Sequence, residues 1–263
     1  MKQWLLKPLI SAWLGPERLD WYDRLDWEQA IALYQRPGLT YPDYYRLQNF
    51  HGIDRGYLNP IAAITYDPVT RLASPPSERW LRKRLLASVT GQPQCILDLG
   101  CGTGSSTLML KQRFPKATVM GLDLSPYMLV MAEYKAQKAG LEIDWHHGLA
   151  EATPWAPAYF DLVTVSFLFH EMPPPMTQAV LIESLRLLKP GGQIIILDGS
   201  QRSLRYLGPL IDLFREPYSR LYSTGCLQEW LKKIGFAAVQ AHHLGFIHQL
   251  TTAYADKALI AEQ

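Results

Sequence analysis

The most informative stretch of this chain is Cys95-Ile-Leu-Asp-Leu-Gly-Cys-Gly-Thr-Gly104. It opens with a short apolar run, residues 95–97, which predicts a buried strand. Residues 105–113 follow with the spacing of a helix. The glycine-rich segment between them therefore predicts a sharp turn that links a strand to a helix.

That turn has a glycine at every second position, Gly100, Gly102 and Gly104. Because glycine has no Cβ, the backbone can turn tightly and a ligand can lie against it. The unpaired amides that open the following helix favour negatively polarised groups. Asp98, at the strand end, can accept hydrogen bonds from the ammonium group of a ligand. We therefore expect a small-molecule site at this turn.

The glycine spacing separates two classes of cofactor-binding protein. The dinucleotide fingerprint is Gly-x-Gly-x-x-Gly, but Ser105 stands where its third glycine would fall. The pattern Asp-x-Gly-x-Gly-x-Gly instead resembles motif I of the class I S-adenosylmethionine-dependent methyltransferases. This resemblance implies S-adenosylmethionine as the cofactor, bound at Asp98, Cys101 and the three glycines of the turn.

A second acid follows the next predicted strand, residues 118–122. Asp123 lies 19 residues beyond Gly104, where nucleotide-binding folds of this kind place an acid on the ribose hydroxyls. One carboxylate can accept hydrogen bonds from both vicinal hydroxyls. We therefore assign Asp123 and its neighbour Leu124 to the cofactor site. The helix that follows begins at Ser125 and Pro126, which are a good N-cap and a good first-turn residue.

The corner after the third strand departs from the family pattern. It reads Gly-Leu-Ala-Glu at residues 148–151, whereas the family has Gly-Asp-Ala-Glu, with the Asp accepting from the adenine amino group. Leu149 occupies the Asp position, so adenine recognition falls either to the backbone at Ala150 or to Glu151. Ser166, at the end of the fourth strand, is expected under the methionine part of the cofactor.

Two residues outside the glycine turn are candidates for a catalytic role. Residues 62–67 read Ala-Ala-Ile-Thr-Tyr-Asp and look like the Ala-x-x-Tyr-Asp signature of quinone-methylating enzymes. Tyr66 is then either a lid over the sulfonium or a packing residue. His170 matches a position that is often His in the family. It is either a general base, since the usual pKa of histidine lies near neutral pH, or a residue that holds its loop by a hydrogen bond.

Alternating helices and strands from residue 78 to 199, followed by two strands within residues 236–253, predict an α/β three-layer sandwich. The sheet is Rossmann-like, with about seven strands and a C-terminal antiparallel hairpin. Leu-Lys-Pro-Gly-Gly at residues 188–192 is a recognisable family turn between a helix and a buried strand. A mainly helical, aromatic-rich extension is expected over residues 1–76. The methyltransferase domain is then 77–263, with a helical substrate cover at about 202–222.

Composition limits the class of protein. The 263 residues are 48% hydrophobic and 19% charged, with a net charge of +2 and no basic block, which argues against nucleic-acid binding. The three cysteines have no metal-ligand spacing, so we predict no metal and a reduced, cytoplasmic-type protein. The segment Trp4–Leu14 is apolar but interrupted, and it either packs on the domain or lies at a bilayer surface. The oligomeric state stays open.

The resemblance implies methyl transfer from S-adenosylmethionine to an oxygen or carbon of a small, apolar or aromatic acceptor such as a quinone or phenol. A nicotinamide-dependent oxidoreductase would need Gly at position 105 and a Tyr-x-x-x-Lys set, which the sequence lacks. A nucleic-acid or protein methylase is disfavoured because residues 172–175 read Met-Pro-Pro-Pro without an opening Asn or Asp. A cofactor-binding regulator without catalysis would share every motif and remains an alternative.

Overall fold

The structure is a computed structural model that describes residues 16–207 and 215–256. Its centre is a seven-stranded sheet with the strand order β3-β2-β1-β4-β5-β7-β6. The strands are β1 (Cys95–Leu99), β2 (Thr118–Asp123), β3 (Asp144–His147), β4 (Phe160–Ser166), β5 (Leu188–Gly199), β6 (Phe236–Leu244) and β7 (His248–Ala255). Strands β1 to β5 pair in parallel, while β7 runs antiparallel to both of its neighbours.

Helices precede the sheet and connect its strands. The α-helices of the described residues are α1 (Pro16–Arg24), α2 (Trp27–Ala32), α3 (Asp43–Arg46), α4 (Pro60–Ala73), α5 (Glu78–Ala87), α6 (Ser105–Arg113), α7 (Pro126–Ala139), α8 (Pro174–Leu187), α9 (Gln201–Tyr206), α10 (Ser219–Ser223) and α11 (Leu227–Ile234). Single 3₁₀ turns occur at Phe50–Gly52 and Phe169–Glu171.

Each strand sends alternate side chains to opposite faces of the sheet. Leu97 and Val163 lie on the face that α8 and α11 cover. Their chain neighbours Ile96 and Leu162 lie on the face covered by α5 and α6. The predicted three-layer sandwich, the seven-stranded sheet and the closing hairpin are confirmed.

The sequence predicts that the Lys-Pro-Gly-Gly segment is a turn before the buried strand. In the structure this segment lies within β5 instead. Leu188 already pairs with Phe160, and the register shifts before Gln193 pairs with Leu162. Residues 189–192 therefore bulge out of a strand that has already begun at Leu188. A glycine with positive φ, Gly191 at 77°, accommodates the bulge.

The predicted helical cover at about 202–222 is not one continuous helical face in the part that the structure describes. Residues 208–214 of the predicted cover lie outside the described residues. On either side, α9 ends at Tyr206 and α10 begins only at Ser219. Pro217 stands between them, and proline cannot supply the amide that a continuous helix needs.

Helices are present before residue 76, as expected, and they pack on the sheet domain through aromatic side chains. Trp21 stacks on Tyr134 of α7 with ring centroids 4.1 Å apart, and Trp27 lies 5.8 Å from Tyr127. The division at residue 76 stays a prediction. The segment Trp4–Leu14 lies outside the described residues. No helix among the described residues is long and apolar enough to cross a bilayer.

Candidate active site

The glycine turn forms as predicted between β1 and α6. Gly100 and Gly102 have φ angles of 65° and 54°, in the left-handed region that disfavours other residues. A Cβ on Gly100 would lie 2.8 Å from the Leu168 side chain, and one on Gly102 would lie 3.8 Å from Tyr66. The turn therefore needs glycine for its conformation and, at Gly100, for a close approach by the loop after β4.

Asp123 is held against this turn at the end of β2. Its Oδ2 accepts a hydrogen bond from the Gly102 amide at 2.7 Å, and its Oδ1 accepts one from the Ser125 amide at 2.8 Å. Burial raises the pKa of Asp123 to about 6, although these amide hydrogen bonds partly oppose the shift. Each carboxylate oxygen keeps a further lone pair for a ligand hydroxyl.

A cavity lies beside the turn, and we call it the glycine-loop cavity. It encloses about 680 Å³, including space open to solvent. Seven of the residues predicted from the sequence line it: Tyr66, Gly100, Gly102, Asp123, Leu124, Ala150 and Glu151. Aromatic side chains of the N-terminal region form part of its wall, among them Tyr44, Tyr45 and Phe50.

The remaining predicted cofactor residues do not line this cavity. The carboxylate of Asp98 is 1% exposed and accepts from the hydroxyls of Thr107 and Thr164 at 2.6 and 2.7 Å. These bonds join β1 to α6 and β4.

Hydrogen bonds account for the positions of two further residues of this group. Cys101 is buried, and its amide donates to the Leu122 carbonyl at 3.0 Å. The hydroxyl of Ser166 lies 2.9 Å from that of Ser106. Gly104 caps α6, and a Cβ there would lie 2.6 Å from Trp145.

The corner at Leu149 contributes to the same cavity through its neighbours. Leu149 forms an isolated bridge with Ala152, which turns the chain so that Ala150 and Glu151 line the cavity. The Glu151 Oε1 accepts from the hydroxyl of Tyr44 at 2.8 Å. The contact with Tyr44 was not predictable from the sequence, because Tyr44 and Glu151 are 107 residues apart along the chain.

The Tyr-Asp signature lies in α4, and its acid fastens this helix to the glycine turn. Asp67 is 4% exposed, and its Oδ1 accepts from the Thr103 hydroxyl at 2.5 Å. The Lys135 ammonium of α7 donates to Asp67, Thr103 and Ser105 at 2.8–3.1 Å. Sequence reasoning missed this network, for which the only local signal was an acid within an apolar helix.

A second cavity adjoins the first, and we call it the histidine cavity because His51, His170 and His248 line it. It encloses about 1060 Å³, including space open to solvent. Much of the rest of its wall is apolar: Ile53, Ala62, Val69, Leu204, Leu207 and Ile247. Four residues line both cavities, and we call them the junction: Tyr57, Tyr66, Phe167 and Glu171.

His170 is surrounded by carboxylates. Its Nδ1 donates to Asp198 Oδ1 at 2.6 Å, and its Nε2 lies 3.7 Å from Glu171 and 3.9 Å from Glu216. Burial alone would lower the pKa of His170, but Asp198, Glu216 and Glu171 outweigh it and raise the pKa to about 10. His170 is therefore a cation at neutral pH. In this arrangement it can donate a hydrogen bond to an oxyanion, whereas a general base would have to be neutral.

Glu171 is the only charged residue of the junction. Its Oε1 accepts from the Tyr57 hydroxyl at 2.8 Å and from His51 Nε2 at 3.0 Å. One ligand atom each of His51, Glu171 and Glu216 lie within 4.8 Å of one another. The chemical types would suit a metal ion. However, two of the three are hydrogen-bonded to each other and the imidazolium of His170 lies close to both carboxylates, so we describe the group as a hydrogen-bond network.

Comparison with known proteins places this geometry among methyltransferases. Residues 96–192 match a family model described as a methyltransferase domain. An uncharacterized methyltransferase of Synechocystis is 35% identical over 172 residues, which are 63% of this chain and 78% of that protein. A demethylmenaquinone methyltransferase of Thermus thermophilus is 39% identical over 134 residues, 51% of this chain and 60% of that protein.

Solved structures agree on the fold. A phosphoethanolamine N-methyltransferase of Haemonchus contortus, in complex with S-adenosylmethionine, has a TM-score of 0.60 at 15% identity, covering 84% of this chain and 61% of that chain. A SAM-dependent methyltransferase of Aquifex aeolicus has a TM-score of 0.57 at 21% identity, covering 75% of this chain and 98% of that chain. The chain spans 60% and 55% of the length of the demethylmenaquinone methyltransferases of T. thermophilus and Deinococcus radiodurans.

Proposed function

Because this chain belongs to the class I S-adenosylmethionine-dependent methyltransferase family, we propose that it transfers a methyl group to an oxygen or carbon of a quinol- or phenol-like small molecule. The observation that carries the proposal is the pair of cavities that meet at the junction. One cavity lies on the glycine turn, where a nucleoside-bearing cofactor fits, and the other has a largely apolar wall. A methyl group that crosses the junction passes from the first cavity to the second.

The glycine-loop cavity suits S-adenosylmethionine in its polar groups. We assign Asp123 to the ribose hydroxyls, because its carboxylate lines the cavity with lone pairs to spare. Ala150 and Glu151 lie where an adenine can be bound by the backbone or the side chain. We assign Asp98 and Ser166 an indirect role, since their side chains are occupied in holding the strands and α6 together.

S-adenosylmethionine, when bound, supplies a methyl group already activated for displacement, so the protein's main task is alignment. The apolar wall of the histidine cavity fits an aromatic ring with an apolar substituent. The imidazolium of His170 can donate a hydrogen bond to an oxygen of this ring and so stabilise its ionised form. The hydroxyl proton leaves to solvent, and the negative charge is shared with the ring carbons beside that oxygen. A ring carbon that accepts the methyl group then loses its own hydrogen to solvent as a proton, which restores the aromatic ring. In this role His170 is an electrostatic stabiliser, which differs from both alternatives of the sequence analysis, a general base and a residue that holds its loop.

The names of several relatives support a quinone as the class of acceptor. Demethylmenaquinone methyltransferases recur among the similar proteins, together with a ubiquinone/menaquinone biosynthesis C-methyltransferase of Desulfotalea psychrophila. We also propose a cytoplasmic location, in keeping with the three free cysteines Cys95, Cys101 and Cys226. For the Trp4–Leu14 segment both alternatives of the sequence analysis stay open, packing on the domain and contact with a bilayer surface.

The test is transfer of radiolabelled methyl from S-adenosylmethionine to 1,4-dihydroxynaphthalene or 2-methyl-1,4-dihydroxynaphthalene under reducing conditions. We expect labelled product from the wild-type chain and a large loss with Asp123→Ala, measured at equal protein concentration. Binding of S-adenosylmethionine without turnover on any quinol or phenol would favour the regulator instead. Absence of binding would refute the proposal.

A further inference from the structure

Glu171 is a buried carboxylate at the junction of the two cavities described above. It is 8% exposed. Hydrogen bonds from Tyr57 and His51 reach its Oε1, whereas its Oε2 is shielded from solvent and has no hydrogen-bond partner among residues 16–207 and 215–256. A buried oxygen without a partner is costly to the folded protein. Such an atom beside a ligand cavity indicates that a ligand supplies the missing interaction.

The other three junction residues are aromatic. The rings of Tyr57 and Tyr66 meet edge to face, with centroids 6.2 Å apart and planes at 69°, and Phe167 completes the set. Aromatic faces carry partial negative charge and attract cations, especially cations that carry methyl groups. Burial alone would raise the pKa of Glu171, but His51 and His170 outweigh it and lower the pKa, so the carboxylate is ionised at neutral pH.

We propose that the junction is a binding site for the sulfonium cation, and that the Glu171 carboxylate makes the chain prefer S-adenosylmethionine over its demethylated product. This rests on the proposed function. The sulfur of the cofactor is positively charged before transfer and neutral afterwards. The attraction of Glu171 therefore acts on the incoming cofactor and disappears with the methyl group, which favours release of the product.

This role concerns binding and selectivity. A negative charge that stabilises the reactant cation does not lower the barrier to transfer, because the attraction weakens as the charge is lost. The alternative is that Glu171 receives the ammonium group of the methionine part. That group is present in both S-adenosylmethionine and S-adenosylhomocysteine, so the two roles predict different results when the ligands are compared.

The experiment is calorimetric titration of the full chain with each of the two ligands. Glu171→Gln removes the charge and keeps the shape. It should weaken binding of S-adenosylmethionine about tenfold or more. At an effective dielectric constant of 20, the attraction between two opposite charges a few ångströms apart is large enough to account for at least a tenfold change in affinity. Binding of S-adenosylhomocysteine should change by less than about twofold. Glu216→Gln is the matched control, because Glu216 lines the histidine cavity and lies outside the junction, and it should leave the ratio of the two affinities nearly unchanged.

Each other outcome overturns the inference. Equal weakening of both ligands by Glu171→Gln would place the ammonium group at Glu171, and an unchanged ratio would remove Glu171 from the cofactor site. If Glu171→Gln does not fold, Glu171→Asp withdraws the charge by one methylene and should lower the preference for S-adenosylmethionine by a smaller factor. An unchanged ratio in that variant overturns the inference. Failure of the wild type to bind either ligand would refute the proposed function itself.

Discussion

Removing the acid that fastens α4 to the glycine turn should destabilise the whole fold. Asp67 faces the Lys135 ammonium at 3.1 Å, and both are largely buried. Without Asp67 the ammonium would keep only the hydroxyls of Thr103 and Ser105 as partners. Breaking one side of a buried ion pair costs about 3–5 kcal/mol. We expect Asp67→Ala to lower the free energy of unfolding by about 3 kcal/mol or more, since the two hydroxyls compensate for part of the loss.

The loss in the free energy of unfolding caused by Asp67→Ala should also depend on pH. Burial lowers the pKa of Lys135, and Asp67 opposes this effect. In Asp67→Ala the pKa of Lys135 should fall further, so the unfolded state binds more protons than the folded state between that pKa and about 10.4, the ordinary value for lysine. Stability then rises with pH in this window. The difference between wild type and variant should be smaller at pH 9 than at pH 7.

Urea unfolding, followed by circular dichroism at both pH values, measures these quantities. Lys135→Met is the matched single variant, and Asp67→Ala/Lys135→Met completes a double-mutant cycle. The double variant should be clearly more stable than the sum of the two single losses predicts, because it leaves no unpaired charge. A loss below about 1 kcal/mol in Asp67→Ala, the value of an exposed pair, would refute the reasoning, as would additive single losses.

Four further predictions concern the cofactor and the imidazolium. Asp123→Ala should weaken binding of S-adenosylmethionine about tenfold or more, because it removes the acceptor for the ribose hydroxyls, and an unchanged affinity in titration would contradict that role. Since the pKa of Asp123 is raised to about 6, wild-type affinity should fall as pH is lowered through 6, and Asp123→Ala should lack this dependence. His170→Ala should lower kcat and leave cofactor affinity intact, whereas full activity would return His170 to a structural role. The pKa of His170 is about 10 in the folded protein and about 6.5 for an ordinary histidine. Protonated His170 therefore stabilises the fold fully below pH 6.5, and this stabilisation is lost as the pH rises towards 10. Unfolding experiments should show that the difference in the free energy of unfolding between wild type and His170→Ala becomes smaller over that range.

Local signals predicted the core of this fold well. Helix α7 begins after Ser125, whose hydroxyl accepts from the Met128 amide, and it ends at Gly140 in the left-handed conformation. The cap, the first-turn proline and the terminal glycine were all visible in the sequence. Asp123 and the glycine turn likewise lie together at one edge of the sheet, because parallel strands bring their carboxyl ends to the same side.

Contacts between distant parts of the chain were not predictable in the same way. Asp198 is 28 residues from His170 along the chain, and together with Glu216 and Glu171 it raises the pKa of this histidine to about 10. The choice between a general base and a residue that holds its loop therefore depended on partners that the sequence did not reveal. Asp67 and Lys135 are 68 residues apart. Glu171 had one signal in the sequence, a carboxylate next to His170 in a largely apolar loop at the ligand edge of the sheet. Its position between two cavities was visible only in the structure.

The position of β7 has a consequence for the order in which the protein forms. Strand β7 lies between β5 and β6 although it follows both along the chain. During synthesis from the N-terminus, all residues that line the glycine-loop cavity precede β5, whereas Ile247 and His248 of the histidine cavity arrive with β7. Until then β5 has an unpaired edge, which is a template for pairing with other chains. The residues that line the glycine-loop cavity are therefore all synthesised before those that complete the histidine cavity, and the edge of β5 stays unpaired in the interval.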